Sequence, residues 1–382
     1  MNGPYTAIRK DGRNIINYLG STVFEAFEDV QKTSFSNQML DERLEKTITD
    51  ERFHHLHVID SALFFASTQY FKGLNADWCN LPLTTLMISS PGEMYAGKNI
   101  DYTTDALPVT LSWFDQPRDV FLSESSQFYL ELRLMIDKVD KVFSIYNSFR
   151  KEKADFSHLS EFQHIEFEGK VSFEENIKIS IGLMDCIVQY LLKNTLDSLS
   201  YFLTQDEIAV LRSTFDITNF ERLTFKQALK VLREDTNDAR YDTFSLINFG
   251  AWEEIRLTEI TKKHLILTEF PLLQIPFYHN ELKHDEQGIP LAENADIILY
   301  GYRETIGSGV RISNLDALKE KAKVFNLPIV DYAPYLKTRE YAQYQKTAGF
   351  GMGWQRFTHW LLKMPAIWES THVPRGHLLP IP

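Results

Sequence analysis

Two arginines stand where phosphate chemistry would need them. Arg150 follows the apolar run Val142–Ser148, and Arg356 comes directly after Gly349-Phe350-Gly351-Met352-Gly353 at the start of a helical segment. A guanidinium stays charged at any physiological pH, and its planar fork holds two phosphate or carboxylate oxygens at once. Glycines at 349, 351 and 353 carry no Cβ, so a ligand can approach the backbone closely. Their spacing is not the G-x-G-x-x-G of dinucleotide-binding folds, and alone the run reads equally well as a packed strand-to-helix turn. Together with two arginines on rigid elements it points to a polyanion site. The plainer alternative is that both arginines are ion-paired in a scaffold that binds nothing.

The surrounding elements can be read from periodicity. Strands are expected at 107–114, 142–148 and 161–168, where EFQHIEFE alternates, and the last two form a hairpin with a loop at 151–160. A helix at 127–136 lies before them, with Phe128, Leu132 and Met135 on one side. Leu44, Ile48, Phe53, Leu56, Ile59, Phe64 and Phe65 recur at helical spacing, which predicts one or two amphipathic helices over 42–71. His54, His55 and His57 fall in this stretch and read as a polar helix face, with no acidic or thiolate partners for a metal nearby. Residues 174–270 are mostly helical, with a less regular middle at 204–249. Further strands are expected at 265–268, 276–278, 297–302 and 304–306, then a helix at 314–325. Strands and helices come in blocks rather than as alternating βαβ units, which predicts an α+β fold around an antiparallel sheet. Residues 1–40 read as an N-terminal arm or cap. Residues 41–382 read as the main domain, with a helical insertion at about 196–260.

Composition narrows the function classes. The 382 residues include 40 Lys plus Arg and 52 Asp plus Glu, a net charge of −12. Such an acidic balance argues against DNA or any broad nucleic-acid footprint, although it leaves room for a local basic groove. No apolar run reaches the length of a membrane span, and the N-terminus lacks the apolar core of a signal peptide. Cys79 and Cys186 are the only cysteines and form no CxxC pair. A reduced, cytoplasmic protein without a membrane partner is therefore expected.

The motifs resemble those of the class II aminoacyl-tRNA synthetases, in particular the aspartyl/asparaginyl subgroup. Phe149-Arg150-Lys151-Glu152, the loop, and His158-Leu159-Ser160-Glu161-Phe162 resemble motif 2, and Gly349–Arg356 resembles motif 3. Arg303-Glu304-Thr305-Ile306-Gly307-Ser308-Gly309-Val310-Arg311 is similar to the subgroup's GE-I-x-GGS-x-R stretch. Leu74–Thr84, with Pro82, is a degenerate motif 1. The order holds from about residue 41 to the C-terminus. The resemblance implies an antiparallel sheet flanked by helices, here expected without the anticodon-binding OB-fold domain, for which no room precedes residue 41.

It also implies roles. Arg150 would bind the α-phosphate and the substrate carboxylate, and Arg356 the γ-phosphate. Phe162 would stack on adenine, Glu152 and His158 would border the nucleotide, and Gly351 and Gly353 would floor the ATP site. Glu304, with Asp296, would hold Mg²⁺. Glu166, Gln127 and Ser125 would hold the amino group of the amino acid, and Arg311 would read its side chain. The chemistry is consistent with these groups. A carboxylate with a pKa of about 4 is already ionised at neutral pH, so its attack on phosphorus needs no general base. The step instead needs two anions aligned and neutralised.

Where aspartyl enzymes carry a lysine three residues after the motif glutamine, this chain has Leu130, and Glu166 stands where they usually have Asp. Both features are asparaginyl-like. The chain also departs from the pattern. Gln355 replaces the glutamate before the motif 3 arginine, Ser308-Gly309 replaces Gly-Ser, and 89–104, with Glu93 as an ammonium-binding candidate, matches the closing loop poorly. Truncated archaeal relatives without the OB domain make asparagine from aspartate, ATP and ammonia. The expected function is therefore an ATP- and Mg²⁺-dependent, adenylate-forming ligase. It would activate aspartate, asparagine or a relative and pass the acyl group to ammonia, a small amine or a carrier. Transfer to tRNA and a non-catalytic regulatory role are the alternatives. A homodimer through motif 1 is expected.

Overall fold

The computed structural model describes residues 5–10, 13–18, 21–26, 35–90 and 107–379. The loop at 91–106, including Glu93, lies outside them. Strands β1 (Tyr5–Lys10), β2 (Arg13–Tyr18) and β3 (Ser21–Ala26) pair antiparallel in a small sheet of their own. The predicted helical stretch is two helices, α1 (Asn37–Thr49) and α2 (Glu51–Gly73), divided at Asp50. Asp50 is extended, ends α1, and caps α2 by accepting a hydrogen bond from the Arg52 amide at 2.9 Å.

After β4 (Asp77–Trp78), strands β5 (Thr84–Thr85), β6 (Val109–Leu111) and β7 (Val120–Leu122) make a second small sheet before α3 (Gln127–Arg133). The expected hairpin is β8 (Lys141–Phe149) and β9 (Glu161–Gly169), in register from Lys141↔Gly169 to Phe149↔Glu161. Helices α4 (Phe173–Asn194), α5 (Leu196–Phe202) and α6 (Gln205–Leu211) follow. Next come β10 (Phe220–Thr224), α7 (Phe225–Thr236), α8 (Ala251–Thr261) and β11 (His264–Thr268). The stretch read as a helical insertion thus contains a strand. β10 pairs parallel with β11 across a helical crossover.

Strands β12 (Glu281–His284) and β13 (Pro290–Ala292) form a short ribbon, and β14 (Asn294–Ile298) and β15 (Glu304–Val310) continue the main sheet. Residues 276–278, expected as a strand, form a turn closed by the His279 amide bonding the Pro276 carbonyl at 3.1 Å. Proline has no N–H to give a ladder. Helices α9 (Leu315–Val324) and α10 (Ile329–Lys337) precede β16 (Ala348–Gly353) and α11 (Trp354–Leu361). The glycine run is therefore a sheet strand, not merely a turn before a helix. The main sheet has eight strands in the order β10-β11-β14-β15-β16-β9-β8-β4, antiparallel except at its two edges.

One face of this sheet is apolar. Phe143, Ile165, Phe167, Ile306, Phe350 and Met352 project from it into a core completed by α2 and α4. The chain end is fastened by charge. Glu369 is buried and accepts from Arg43 at 3.0 Å and Arg52 at 2.8 Å, tying α1 and α2 to the C-terminal segment. Burial pushes the Glu369 carboxyl up, but Arg43 and Arg52 together hold it below its ordinary 4.5. A depressed folded-state value means stabilisation that is complete above the ordinary value and is lost as pH falls through the depressed one. Glu369→Gln is expected to cost about 1.5–3 kcal/mol at neutral pH. Denaturant titrations of both proteins at pH 7 and pH 3 check this: the gap between them should shrink in acid. A gap that does not change with pH counts against the ion pairs.

Candidate active site

Sheet register builds the floor of the site. Ser144, Glu166, Gly351, Gly307 and Asp296 are paired in one row across β8, β9, β16, β15 and β14. Cross-strand partners project to the same face, so two carboxylates flank two positions with no side chain. The next row on that face reads Glu168, Gly349, Gly309 and Asn294. The glycines of β15 and β16 all fall on this face, while Ile306, Val310, Phe350 and Met352 fall on the other. What results is a trough with acidic walls, over which a ligand can lie against bare backbone.

The nucleotide-binding candidates come together at one end. Arg150, Glu152, His158, Phe162, Glu304, Gly351, Gly353 and Arg356 line one cavity of about 110 Å³. The Arg150 guanidinium lies 5.4 Å from the centre of the Phe162 ring, and its Nε is buried without a protein partner. Arg356 donates to the Glu304 carbonyl at 2.8 Å and lies 3.8 Å from the Glu304 carboxylate. His158 is held between Asp155, 2.9 Å from Nδ1, and Arg303, 3.1 Å from Nε2. Burial and the adjacent Arg303 push the His158 imidazole down. Gln355 bonds back to the backbone amide and side chain of Gln163, so the departure from glutamate is absorbed in α11–β9 packing.

The amino-acid candidates gather next to it. Ser125, Gln127, Glu166, Asp296, Glu304 and Arg311 line a cavity of about 170 Å³. The two cavities share Arg150, His164, Glu304 and Gly351. Ser125 donates to Glu166 at 2.7 Å, leaving Glu166 Oε2 and Gln127 Oε1 buried and unpartnered. Burial raises the Glu166 carboxyl, opposed by its hydrogen bonds from Tyr146 and Ser125. Gln127 is held through Glu131, which also pairs with Arg339 at 2.8 Å. Leu130 packs among Cys79, Leu81 and Val142, an apolar cluster. Arg311 is not free to act as a lone cation: it is clamped to Glu168 through Nε at 3.1 Å and Nη2 at 2.8 Å. Burial raises the Glu168 carboxyl, but the permanently charged guanidinium and a 2.7 Å bond from Thr347 favour its ionised form.

A Cβ at Gly307 would lie 2.7 Å from a carboxylate oxygen of Glu304 and 4.0 Å from one of Asp296. Burial pushes Asp296 well above the ordinary carboxyl range, and the negative charges of Glu304 and Glu254 push it further. A divalent cation would relieve that repulsion, so this donor set suits Mg²⁺, which takes one or two carboxylates plus phosphate oxygens. Among the described residues there is no group of three or more His, Cys, Asp or Glu placed to hold a metal. Of the histidines at 54, 55 and 57, His55 stacks on Tyr201.

The sequence reading missed four contributors. His164 sits between the cavities, its Nδ1 2.8 Å from Ser148 Oγ; burial, then Arg150 and Arg356, keep it neutral. Its position, like that of Glu168, follows from the alternation through Phe162 and Glu166. Glu254 on α8 accepts from the Glu304 amide at 2.9 Å and from Arg303 at 3.3 Å. No local pattern marks it. His279, at the turn after Pro276, closes the amino-acid cavity. A groove of about 570 Å³ elsewhere has mainly apolar walls (Leu86, Trp113, Leu132, Val330), and in it Arg118 donates twice to Asp331 at 2.7 Å.

Two arginines beside a glycine floor give this antiparallel sheet the positive charge and bare backbone that an anionic ligand requires. Residues 101–377 match the family of class II tRNA synthetases (D, K and N), and the chain belongs to that family. It is 29% identical over 267 residues to the asparagine–tRNA ligase of Pyrococcus abyssi, covering 69% of this chain and 58% of that protein. The chain therefore spans less than two thirds of that relative's length. The asparaginyl-tRNA synthetase of Pyrococcus horikoshii, solved with asparaginyl-adenylate, superposes with a TM-score of 0.76 at 23% identity, covering 96% of this chain and 78% of that one. The aspartyl-tRNA synthetase of Entamoeba histolytica gives 0.67 at 20% identity, covering 90% and 63%.

Proposed function

We propose that the protein is an ATP-dependent, adenylate-forming ligase that activates asparagine or aspartate and transfers it to tRNA. The observation that carries this is the junction of two cavities at Arg150, where one guanidinium can neutralise both a phosphate and a carboxylate. In this reading the carboxylate attacks the α-phosphorus and pyrophosphate leaves; the acceptor then attacks the acyl carbon of the adenylate and AMP leaves. Arg150 holds the α-phosphate and Arg356 the γ-phosphate. Phe162 stacks on adenine between Glu152 and His158. Glu166, Ser125 and Gln127 take the ammonium group, and Arg311 with Glu168 shapes the side-chain end. Glu304 and Asp296 would hold Mg²⁺, which when bound supplies charge neutralisation at the phosphates.

The names of the relatives favour tRNA over the ammonia or small amine expected above. The net charge of −12 favours the small acceptor. Amino-acid-dependent ATP–pyrophosphate exchange, run over twenty amino acids with Mg²⁺, tests the first half. Exchange with asparagine or aspartate is expected, and silence with all twenty overturns it. Charging of total tRNA, compared with product formed from ammonia, then decides the acceptor. A homodimer through the motif 1 segment at 74–84 is proposed, where Trp78 and Leu83 are exposed. Light scattering at twice the monomer mass is the expected result, and a monomer refutes it.

A further inference from the structure

The side-chain end of the amino-acid cavity is built differently from the pattern the sequence resembles, and the two differences fit each other. Gly309 stands where that pattern has a serine. A Cβ added there would collide with the His279 imidazole at Nδ1. His279 is buried and lines the cavity, and its Nδ1 has no hydrogen-bond partner in the protein. Its ring stacks on Tyr278 at 4.9 Å, and its carbonyl accepts from the buried Lys321 at 3.1 Å, so it is seated on two sides. Backbone bridging to Arg311 places it beside the Arg311–Glu168 pair.

We propose that His279, seated in the space Gly309 leaves open, selects the amino acid by hydrogen bonding to an uncharged, amide-bearing side chain. This rests on the adenylation reading above and names the specificity of the same site. The charge balance at this end favours an uncharged side chain over a carboxylate. The Arg311 guanidinium beside His279 is already paired with Glu168. Burial, then the positive charges of Arg311 and Lys321, hold His279 well below the ordinary imidazole range. A neutral imidazole offers one donor and one acceptor and brings no positive charge for an anion. An amide presents the complementary donor and acceptor. A buried polar atom without a partner costs free energy until a ligand satisfies it.

The test uses the full chain and compares wild type, H279A, G309S and the H279A/G309S double variant. Exchange kinetics are read as separate KM values for asparagine and for ATP, with melting temperature as the fold control. Expected results are a preference for asparagine over aspartate in the wild type, and an asparagine KM raised about tenfold in H279A. The ATP KM should stay within about twofold. G309S should raise the asparagine KM as H279A does, by displacing the ring, and should add little in the H279A background. A wild-type preference for aspartate overturns the inference. So does an unchanged asparagine KM in H279A, an equal rise in both KM values, or additive effects in the double variant. If H279A does not fold, G309S carries the same comparison. If wild type shows no exchange, the adenylation reading fails, and calorimetric binding of asparagine decides this inference separately. Binding weakened by H279A supports it; no binding, or unchanged binding, overturns it.

Discussion

Arg150→Ala and Arg356→Ala are each expected to lower amino-acid-dependent pyrophosphate exchange by about 10²–10³-fold, as when one preorganised donor is removed from a charged transition state. The fold should remain intact. Arg150 lies against Phe162 and has a buried Nε without a protein partner, so its charge is aimed at a ligand rather than used to hold the sheet. Arg356 makes one backbone bond, to Glu304, and a looser approach to its carboxylate. Neither carries the kind of clamp that fixes Arg311. Arg150→Lys keeps the charge and loses the fork, so it should fall between wild type and alanine. Alanine variants with wild-type exchange would remove the basis for the proposed reaction.

Glu168→Ala is expected to destabilise the protein by about 3–5 kcal/mol, because it leaves Arg311 charged, buried and unpaired. Glu168 is fully buried and receives three hydrogen bonds from Arg311 and one from Thr347. A Cβ at position 349 would collide with its carboxylate, so Gly349 is what lets the pair cross beneath β16. Replacing both members, as in E168L/R311M, should recover much of the loss, since two apolar side chains leave no uncompensated charge. Urea denaturation midpoints of the single and double variants measure this. A single variant as stable as wild type would mean that water reaches Arg311 and that the side-chain end of the cavity is open.

Glu254 links the site to the stretch at 196–260, which the sequence marked only as a helical addition. Its carboxylate bonds the Glu304 amide and approaches Arg303, so α8 sets the backbone from which the Glu304 side chain enters the cavity. The second core, where Phe225, Leu229 and Leu232 of α7 meet Leu265 and Leu267 of β11, holds that helix in place.

By itself the sequence determined the features that repeat over a few residues. Alternation at 161–168 placed β9, and its hairpin with β8 followed, because a strand's period of two is local. Arg150 and Arg356 were legible because each sits at the end of such an element, beside glycines or a turn. The resemblance of the ordered motifs then named many of the residues that line the two cavities. Tertiary structure alone decided what each charge faces. Arg311 and Glu168 are 143 residues apart, and no spacing in the chain announces their pairing. The glycines at 307, 309, 349 and 351 became a floor only when β15 and β16 paired in register. His279 found its place only because Gly309 lies opposite it. Those partners are set by packing between segments distant along the chain, where the burial of charge, rather than local propensity, settles which groups meet.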